Sequence, residues 1–303
     1  MINLRRSTRL QRFRPKLKSG DNAPRFNVDI ILIFKAALMG IVEGLTEFLP
    51  VSSTGHLILV GDVLGFPARI ASTFEIFIQL GAIFAVIIYF GRDLLSLIQR
   101  AIRREPAALR LLINLLIAFI PAAIIGLLFR KQIKANFFSP FVVGVSLVLG
   151  GAAMWLVELW AARQNVFVGA SRKTKGPGEY RVSVLQSIGI GLAQIVSLVP
   201  GMSRAAWTII GGMMTGLDRV TATRFSFLLA IPTLGAASIY ELLKSLGELQ
   251  GGDLPIFAIG LVVSFIVALL VIKFLLGYVA RNDFKPFAWY RIIVGAIMIL
   301  IYG

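Results

Sequence analysis

Apolar residues in this chain do not alternate singly with polar ones; they gather into long runs. The runs fall at about 28–49, 53–65, 73–91, 108–129, 140–162, 183–199, 203–217, 225–243, 254–280 and 286–302. Six of them, 73–91, 108–129, 140–162, 225–243, 254–280 and 286–302, are long enough to cross a ~30 Å hydrocarbon core as helices. The other four form two pairs, each interrupted at a proline, Pro50 and Pro200. Proline lacks an N–H and its ring clashes with the preceding turn, so each pair reads as a broken helix. The predicted fold is an all-α polytopic membrane protein, with six transmembrane helices and two re-entrant broken-helix pairs.

The two halves look alike. Pro50 and Pro200 stand 150 residues apart, as do Ser53 and Ser203. VEGLTEFLPVSSTG in the first half answers to AQIVSLVPGMSRAA in the second, and FEIFIQLGAIFAVIIYF more loosely to RFSFLLAIPTLGAASIY. A first repeat is expected over 28–165, a polar linker over 166–182 and a second repeat over 183–303, within one integral membrane domain. If each broken pair enters and leaves on one side, three crossings per half put the second half in inverted topology. Inverted repeats with broken helices place a site near the bilayer midplane, where the breaks meet.

Composition sharpens this picture. The chain is 57% hydrophobic and only 15% charged, against roughly 25% charged in soluble domains. Its net charge of +16 fits lysines and arginines spaced between membrane runs; no nucleic-acid module accompanies it, and a nucleic-acid partner is not expected. An anionic lipid suits a basic membrane protein better. With the N-terminus on side A, side B receives Arg92, Arg100, Arg103, Arg104, Arg163, Arg172, Lys173, Lys175, Arg181, Arg219, Arg281 and Lys285. Side A loops receive Arg69, Arg130, Lys131, Lys134 and Lys244. The positive-inside rule makes side B cytoplasmic. Residues 1–27, with eight Lys and Arg, read as a basic disordered tail, which this orientation leaves on the external side; either the tail is an upstream extension absent from the working protein, or the first apolar run crosses fully. No cleavage of that tail is expected, because the apolar run after it lacks a small-residue cleavage site. Absence of cysteine excludes disulfide and thiolate chemistry.

The chemistry concentrates in GIVEGLTEFLPVSSTGH, residues 40–56. It holds Glu43, Glu47, the hydroxyls of Ser52, Ser53 and Thr54, and the only histidine, His56. Ionisable groups at membrane depth are costly and read first as function. Glu43 and Glu47, four apart, share a helix face, and Ser53 and His56, three apart, share another. The second break, LVPGMSR, brings Gly201, Ser203 and Arg204. Helix N-termini attract anions, and a guanidinium matches phosphate oxygens bidentately. The arrangement suits a phosphorylated group bridged by a divalent cation, Mg²⁺ or Ca²⁺, to Glu43 or Glu47. Ser53 could attack phosphorus with His56 or a glutamate as proton acceptor, or a water could do so. Ser52, Thr54, Gly201 and Ser203 are expected to contact phosphate, with helix capping the competing role for the hydroxyls.

Other polar positions have structural readings. Thr208 is read as structural, and Glu75 and Gln79 as either support for the site or interhelical bonding. Lys35, Lys273 and Arg291 lie near span ends and are expected to snorkel. Gly150–Gly151 and Gly211–Gly212 are expected to permit close helix packing.

EGLTEFLPVSSTGH and PGMSR resemble the two signature regions of the undecaprenyl-diphosphate phosphatase family, membrane enzymes linked to bacitracin resistance. FEIFIQLGAI at 74–83 and FSFLLAIP at 225–232 resemble further family segments, so the similarity covers nearly everything after residue 28. It implies hydrolysis of undecaprenyl diphosphate to the monophosphate, a divalent cation, and a multi-pass location in the bacterial inner membrane with the site open to the periplasm. A homodimer is a possible assembly. By motif, the family's glutamate pair falls on Glu43 and Glu47, its serine on Ser53, its histidine on His56 and its arginine on Arg204. Ala205, Ala206 and Trp207 depart from the family pattern after Arg204, and Arg224 stands where a glutamate is common. A secondary transporter or polyprenyl-phosphate flippase is the rival reading, since such proteins share broken helices and inverted repeats; a nucleophile beside a base favours the enzyme.

Overall fold

The computed structural model describes residues 30–163, 182–245 and 253–303. The basic tail at 1–27 and all of the expected linker except Val182 lie outside the described residues, Arg172, Lys173, Lys175 and Arg181 among them. The described residues form helices α1 (Ile30–Thr46), α2 (Ser53–Leu64), α3 (Ala68–Tyr89), α4 (Gly91–Ile102), α5 (Pro106–Leu128), α6 (Arg130–Phe137), α7 (Pro140–Arg163), α8 (Val184–Val196), α9 (Arg204–Met214), α10 (Arg219–Ser245), α11 (Leu254–Val279) and α12 (Lys285–Tyr302).

Six of these, α3, α5, α7, α10, α11 and α12, are long and apolar enough to cross a membrane. They coincide with the six runs expected from the sequence. The chain is thus a multi-pass, all-α membrane protein. The two interrupted pairs are α1–α2 and α8–α9, parted by the non-helical stretches 47–52 and 197–203. Two helices are additional. α4 carries Arg92 and Arg100 on one face and leaves Leu95, Ile98 and Ile102 exposed on another, the signature of a helix lying in the membrane interface. Its charge hid it in the sequence, as it hid the short polar α6.

Helices of one half pack on helices of the other. α1 lies on α11, α8 on α5, α3 on α10 and α7 on α12, and α11 also packs on α3. Small residues set these distances, because hydrocarbon offers no hydrophobic drive and close van der Waals contact must hold the helices. A Cβ on Gly40 or Gly44 would sit 2.7 Å from Gly260 O or Ser264 O of α11. One on Gly295 would sit 2.6 Å from Gly144 O. The backbones therefore touch along α1–α11 and α7–α12.

Ion pairs and hydrogen bonds collect at the ends of the spans. At one rim, Arg69 at the start of α3 meets Asp253 before α11 at 2.7 Å, Arg130 meets Glu241, and Tyr302 donates to Asp62 at 2.6 Å. At the other, fully buried Glu158 of α7 accepts from Arg219 Nε at 3.0 Å and from the Phe284 N–H at 2.9 Å, tying α7, α10 and α12. Both interrupted pairs are closed on themselves. Lys35 Nζ, near the start of α1, donates to Gly65 O after α2 at 3.1 Å. Gln186 Nε2, near the start of α8, donates to Thr215 O after α9, also at 3.1 Å.

Candidate active site

The two interruptions face each other across a polar cavity of about 140 Å³. α1 ends at Thr46, and Glu47 opens the turn that follows, its N–H still bonded to Glu43 O at 2.9 Å. Pro50 prevents the helix from continuing. The chain restarts at Ser52, whose φ of 76° is rare for a residue with a side chain. Ser203 does the same before α9, with φ 69°. The backbone counterpart of Ser203 is therefore Ser52, not Ser53, because the second break holds one more residue. Non-glycine backbone in this region costs about 1–3 kcal/mol and marks functional segments. Gly201, at φ 92°, passes so close to α7 that a Cβ would lie 2.6 Å from Val143 O.

The cavity is lined by Glu47, Ser52, Ser53, Thr54, Gly201, Ser203 and Arg204, together with Gln79 and Ser197. Glu47 is its hub. One carboxylate oxygen accepts from Ser53 Oγ at 2.6 Å, the other from Arg204 Nη2 at 2.9 Å. Arg204 and Glu47 are both largely buried, so this ion pair joins the breaks in a low dielectric. Arg204 Nη1 donates to Ser226 O at 3.1 Å, and the guanidinium lies 5.7 Å from the Phe48 ring centroid. Thr208 holds Ser226 through a 2.6 Å hydroxyl contact. The N-termini of α2 and α9 both open onto this cavity. The Ser203 hydroxyl caps Ala206 N at 3.2 Å, whereas Ser52 makes no side-chain cap. The start of α2 thus has no side-chain cap from Ser52, and a helix N-terminus favours an anion.

Glu43 and His56 do not line the cavity. Glu43 is buried, and neither of its carboxylate oxygens has a hydrogen-bond partner. A buried carboxylate without a donor calls for a proton or a cation, and its hard oxygens fit a divalent cation. Among the described residues no group of three or more His, Cys, Asp or Glu could hold a metal; a cation at Glu43 and Glu47 would need further oxygens from a ligand. His56 turns the other way. Its Nδ1 is 2.7 Å from Ser52 O, its Nε2 is 2.8 Å from Tyr290 OH, and its ring stacks on Tyr290 at 5.5 Å. The shared helix face expected for Ser53 and His56 does not bring their side chains to one point.

Arg291 corrects the sequence reading outright. It does not snorkel but is fully buried, well inside α12. Nη1 donates to Pro50 O at 3.3 Å, and Nη2 donates to Gly201 O and Met202 O, each at 3.0 Å. Irregular backbone at membrane depth must find partners within the protein; one guanidinium supplies them to both breaks. Gly150 makes room for it, since a Cβ there would run into the guanidinium. Gly150 thus admits an arginine, whereas Gly151, Gly211 and Gly212 meet neighbouring helices as expected.

Gln79 both lines the cavity and accepts from Ser238 Oγ at 2.8 Å, so bonding and lining coincide in one residue. Ala205, Ala206, Trp207 and Arg224, the departures from the expected pattern, lie outside the cavity wall. Ala205 and Ala206 are buried in packing, and Trp207 rests on the main apolar core.

Comparison with known proteins follows the same residues. The family model described as Bacitracin resistance protein BacA matches residues 36–297. A relative from Albidiferax ferrireducens, named undecaprenyl-diphosphatase, is 48% identical over 278 residues, covering 90% of this chain and 96% of its own. Relatives of the same name from Variovorax paradoxus and Polaromonas naphthalenivorans are each 46% identical over 278 residues, with the same coverage. The chain belongs to the bacitracin resistance protein BacA family.

Proposed function

We infer that this protein hydrolyses undecaprenyl diphosphate to undecaprenyl phosphate and inorganic phosphate, returning the cell-wall carrier lipid to use. The observation that carries the reading is the buried Ser53–Glu47–Arg204 chain between two helix N-termini. It sets a hydroxyl, a base and a cation on one anion-binding cavity. The names of the relatives support the same activity.

In this reading the terminal phosphate enters the cavity between the α2 N-terminus and Arg204. Arg204 and free N–H groups stabilise charge on the phosphoryl oxygens as it develops. Ser53 Oγ attacks the terminal phosphorus while Glu47 takes its proton. The bond from phosphorus to the bridging oxygen breaks, and undecaprenyl phosphate leaves. Water then attacks the phosphoserine, releasing inorganic phosphate and restoring the hydroxyl. Ser52, Thr54, Gly201 and Ser203 lie where they would line the phosphate. A divalent cation, Mg²⁺ or Ca²⁺, held by Glu43 and Glu47 would neutralise the diphosphate charge. His56 fixes the first turn of α2 to α12 through Tyr290 and acts by positioning rather than by carrying the proton. Ser53→Ala should lower turnover by at least about 10²-fold, and by up to about 10⁶-fold if Ser53 and its base act as a unit. Trapped, acid-stable phosphoserine at residue 53 in the wild type would support the covalent route. Full activity in the Ala variant would assign the attack to water.

The same reading places the two halves, 28–165 and 183–303, as inverted repeats with re-entrant pairs. Three features support it. The Lys35–Gly65 and Gln186–Thr215 bonds bring the start and end of each broken pair to one side. The rim bonds put the starts of α3 and α11 together and the end of α7 beside the start of α10. The packing is reciprocal, α1 on α11 against α8 on α5. By the positive-inside rule the rim of α4, Arg219, Arg281 and Lys285 faces the cytoplasm and the α6 rim faces the periplasm across the bacterial inner membrane; access to the cavity from that side is what the resemblance to the family implies.

A further inference from the structure

A second cavity, about 550 Å³ and almost wholly apolar, lies between α5, α6 and α10. Small side chains shape it. Ala122, Ala123 and Gly126 on α5 face Ala236 and Ala237 on α10, leaving a trough where larger residues would close the gap. Leu198 of the second break also lines it and lies against α5 at Gly126, where a Cβ would sit in ordinary contact, 3.4 Å from Leu198 Cδ2. Ser197, the residue before, lines the polar cavity. Thr233 of α10 lines the apolar trough, and its neighbour Leu234 lines the polar cavity. The two cavities therefore share a wall, built from the second break and one turn of α10. At its outer end the trough is rimmed by charge. Arg130 at the α5–α6 junction pairs with Glu241 of α10, and its guanidinium lies 5.3 Å from the Tyr240 ring centroid.

We propose that this trough is the seat of the substrate's isoprenoid chain, the units nearest the diphosphate running along α5 and α10 while the head occupies the polar cavity. The proposal rests on the phosphatase reading and assigns the chain-recognition surface of that site. Its warrant is the pairing of shapes: a small polar chamber against a larger apolar one, joined at Leu198 and Leu234, is complementary to an amphiphile with a charged head and a long apolar chain. A phosphorylated molecule without such a chain would leave the larger chamber without use. The Arg130–Glu241 pair spans the trough mouth, and its cation stands where an anionic head would pass on its way inward.

The experiment compares purified wild type with Ala123→Trp and Ala237→Trp, both of which fill the trough without touching the polar cavity. Phosphate release is followed with undecaprenyl diphosphate and with isopentenyl diphosphate, whose single isoprene unit needs little of the trough. The filled variants should raise KM for undecaprenyl diphosphate at least tenfold, the loss of about two buried methylene contacts. Their kcat/KM for isopentenyl diphosphate should stay within about twofold of wild type. Unchanged kinetics with both substrates would overturn the proposal and leave the trough to bilayer lipid. As a measurement independent of these variants, wild type is irradiated with a diazirine-bearing polyprenyl diphosphate and the adducts are mapped by mass spectrometry. Adducts on α5 and α10 around Ala123 and Ala237 are expected; adducts confined to other helices would overturn it. A wild type that is labelled in the trough yet releases no phosphate would sink the phosphatase reading while keeping the chain site. Phosphate release with labelling elsewhere would do the reverse.

Discussion

At the scale of single residues, the site is held by two arginines with different tasks. Arg204 faces the cavity and pairs with Glu47; Arg291 lies behind it and binds three carbonyls of the breaks. A charge at this depth is tolerated because it answers backbone that would otherwise be orphaned, and each buried unpaired carbonyl would cost about 1–3 kcal/mol. Arg291→Met should therefore lower the thermal unfolding midpoint in detergent by several degrees, and Gly150→Val should do the same by driving the guanidinium out. Either variant unfolding like wild type would show that the breaks hold without this arginine. Glu43, Glu47, Ser53 and Arg204 stood out in the sequence as candidates because ionisable and hydroxyl groups are rare in an apolar run, and the structure gathers Glu47, Ser53 and Arg204 on one cavity. Arg291 was not. Its partners Pro50 and Gly201 lie 241 and 90 residues away, and a lone arginine near a span end looks the same in sequence whether it reaches for lipid headgroups or for carbonyls. The turning of His56 toward Tyr290 was equally hidden, since periodicity fixes a helix face but not a rotamer.

At the scale of elements, long apolar runs gave all six spans, and proline gave both interruptions. What escaped was carried by charge: α4 and α6 read as loops because their residues are those of the membrane surface. Helix contacts in the apolar region rest on backbone approach, so glycines there are structural in a way that a hydropathy pattern does not show. Gly44 of α1 is one such case, with Ser264 O and Val267 Cβ both 2.7 Å from a hypothetical Cβ. Gly44→Val should separate α1 from α11 and cost about 1–3 kcal/mol by overpacking. It should also lower phosphate release, because α1 carries Glu43 and leads directly into Glu47. Denaturant or thermal unfolding beside an activity assay checks both; an unchanged pair of values would contradict the close α1–α11 contact.

At the scale of the whole molecule, inverted halves would bring two N-termini, a carboxylate pair and Arg204 to one depth, and the lack of cysteine offers a clean test of orientation. Single cysteines at Lys131 and Arg103 should behave oppositely. In intact cells, with the outer membrane permeabilised, a membrane-impermeant thiol reagent should label Lys131→Cys and spare Arg103→Cys. The reverse pattern would turn the molecule over and put the α6 rim on the cytoplasmic side. The central claim, that the cavity between the breaks is a phosphatase centre built on carboxylates, is tested most directly by phosphate release from undecaprenyl diphosphate. The measurement compares wild type with Glu47→Gln, each with and without a chelator of divalent cations. The account predicts release by wild type that falls on chelation, and a loss of at least about 10²-fold in the variant, which removes both the proton acceptor and the partner of Arg204. No release from folded wild type, or full release from the variant, would contradict it.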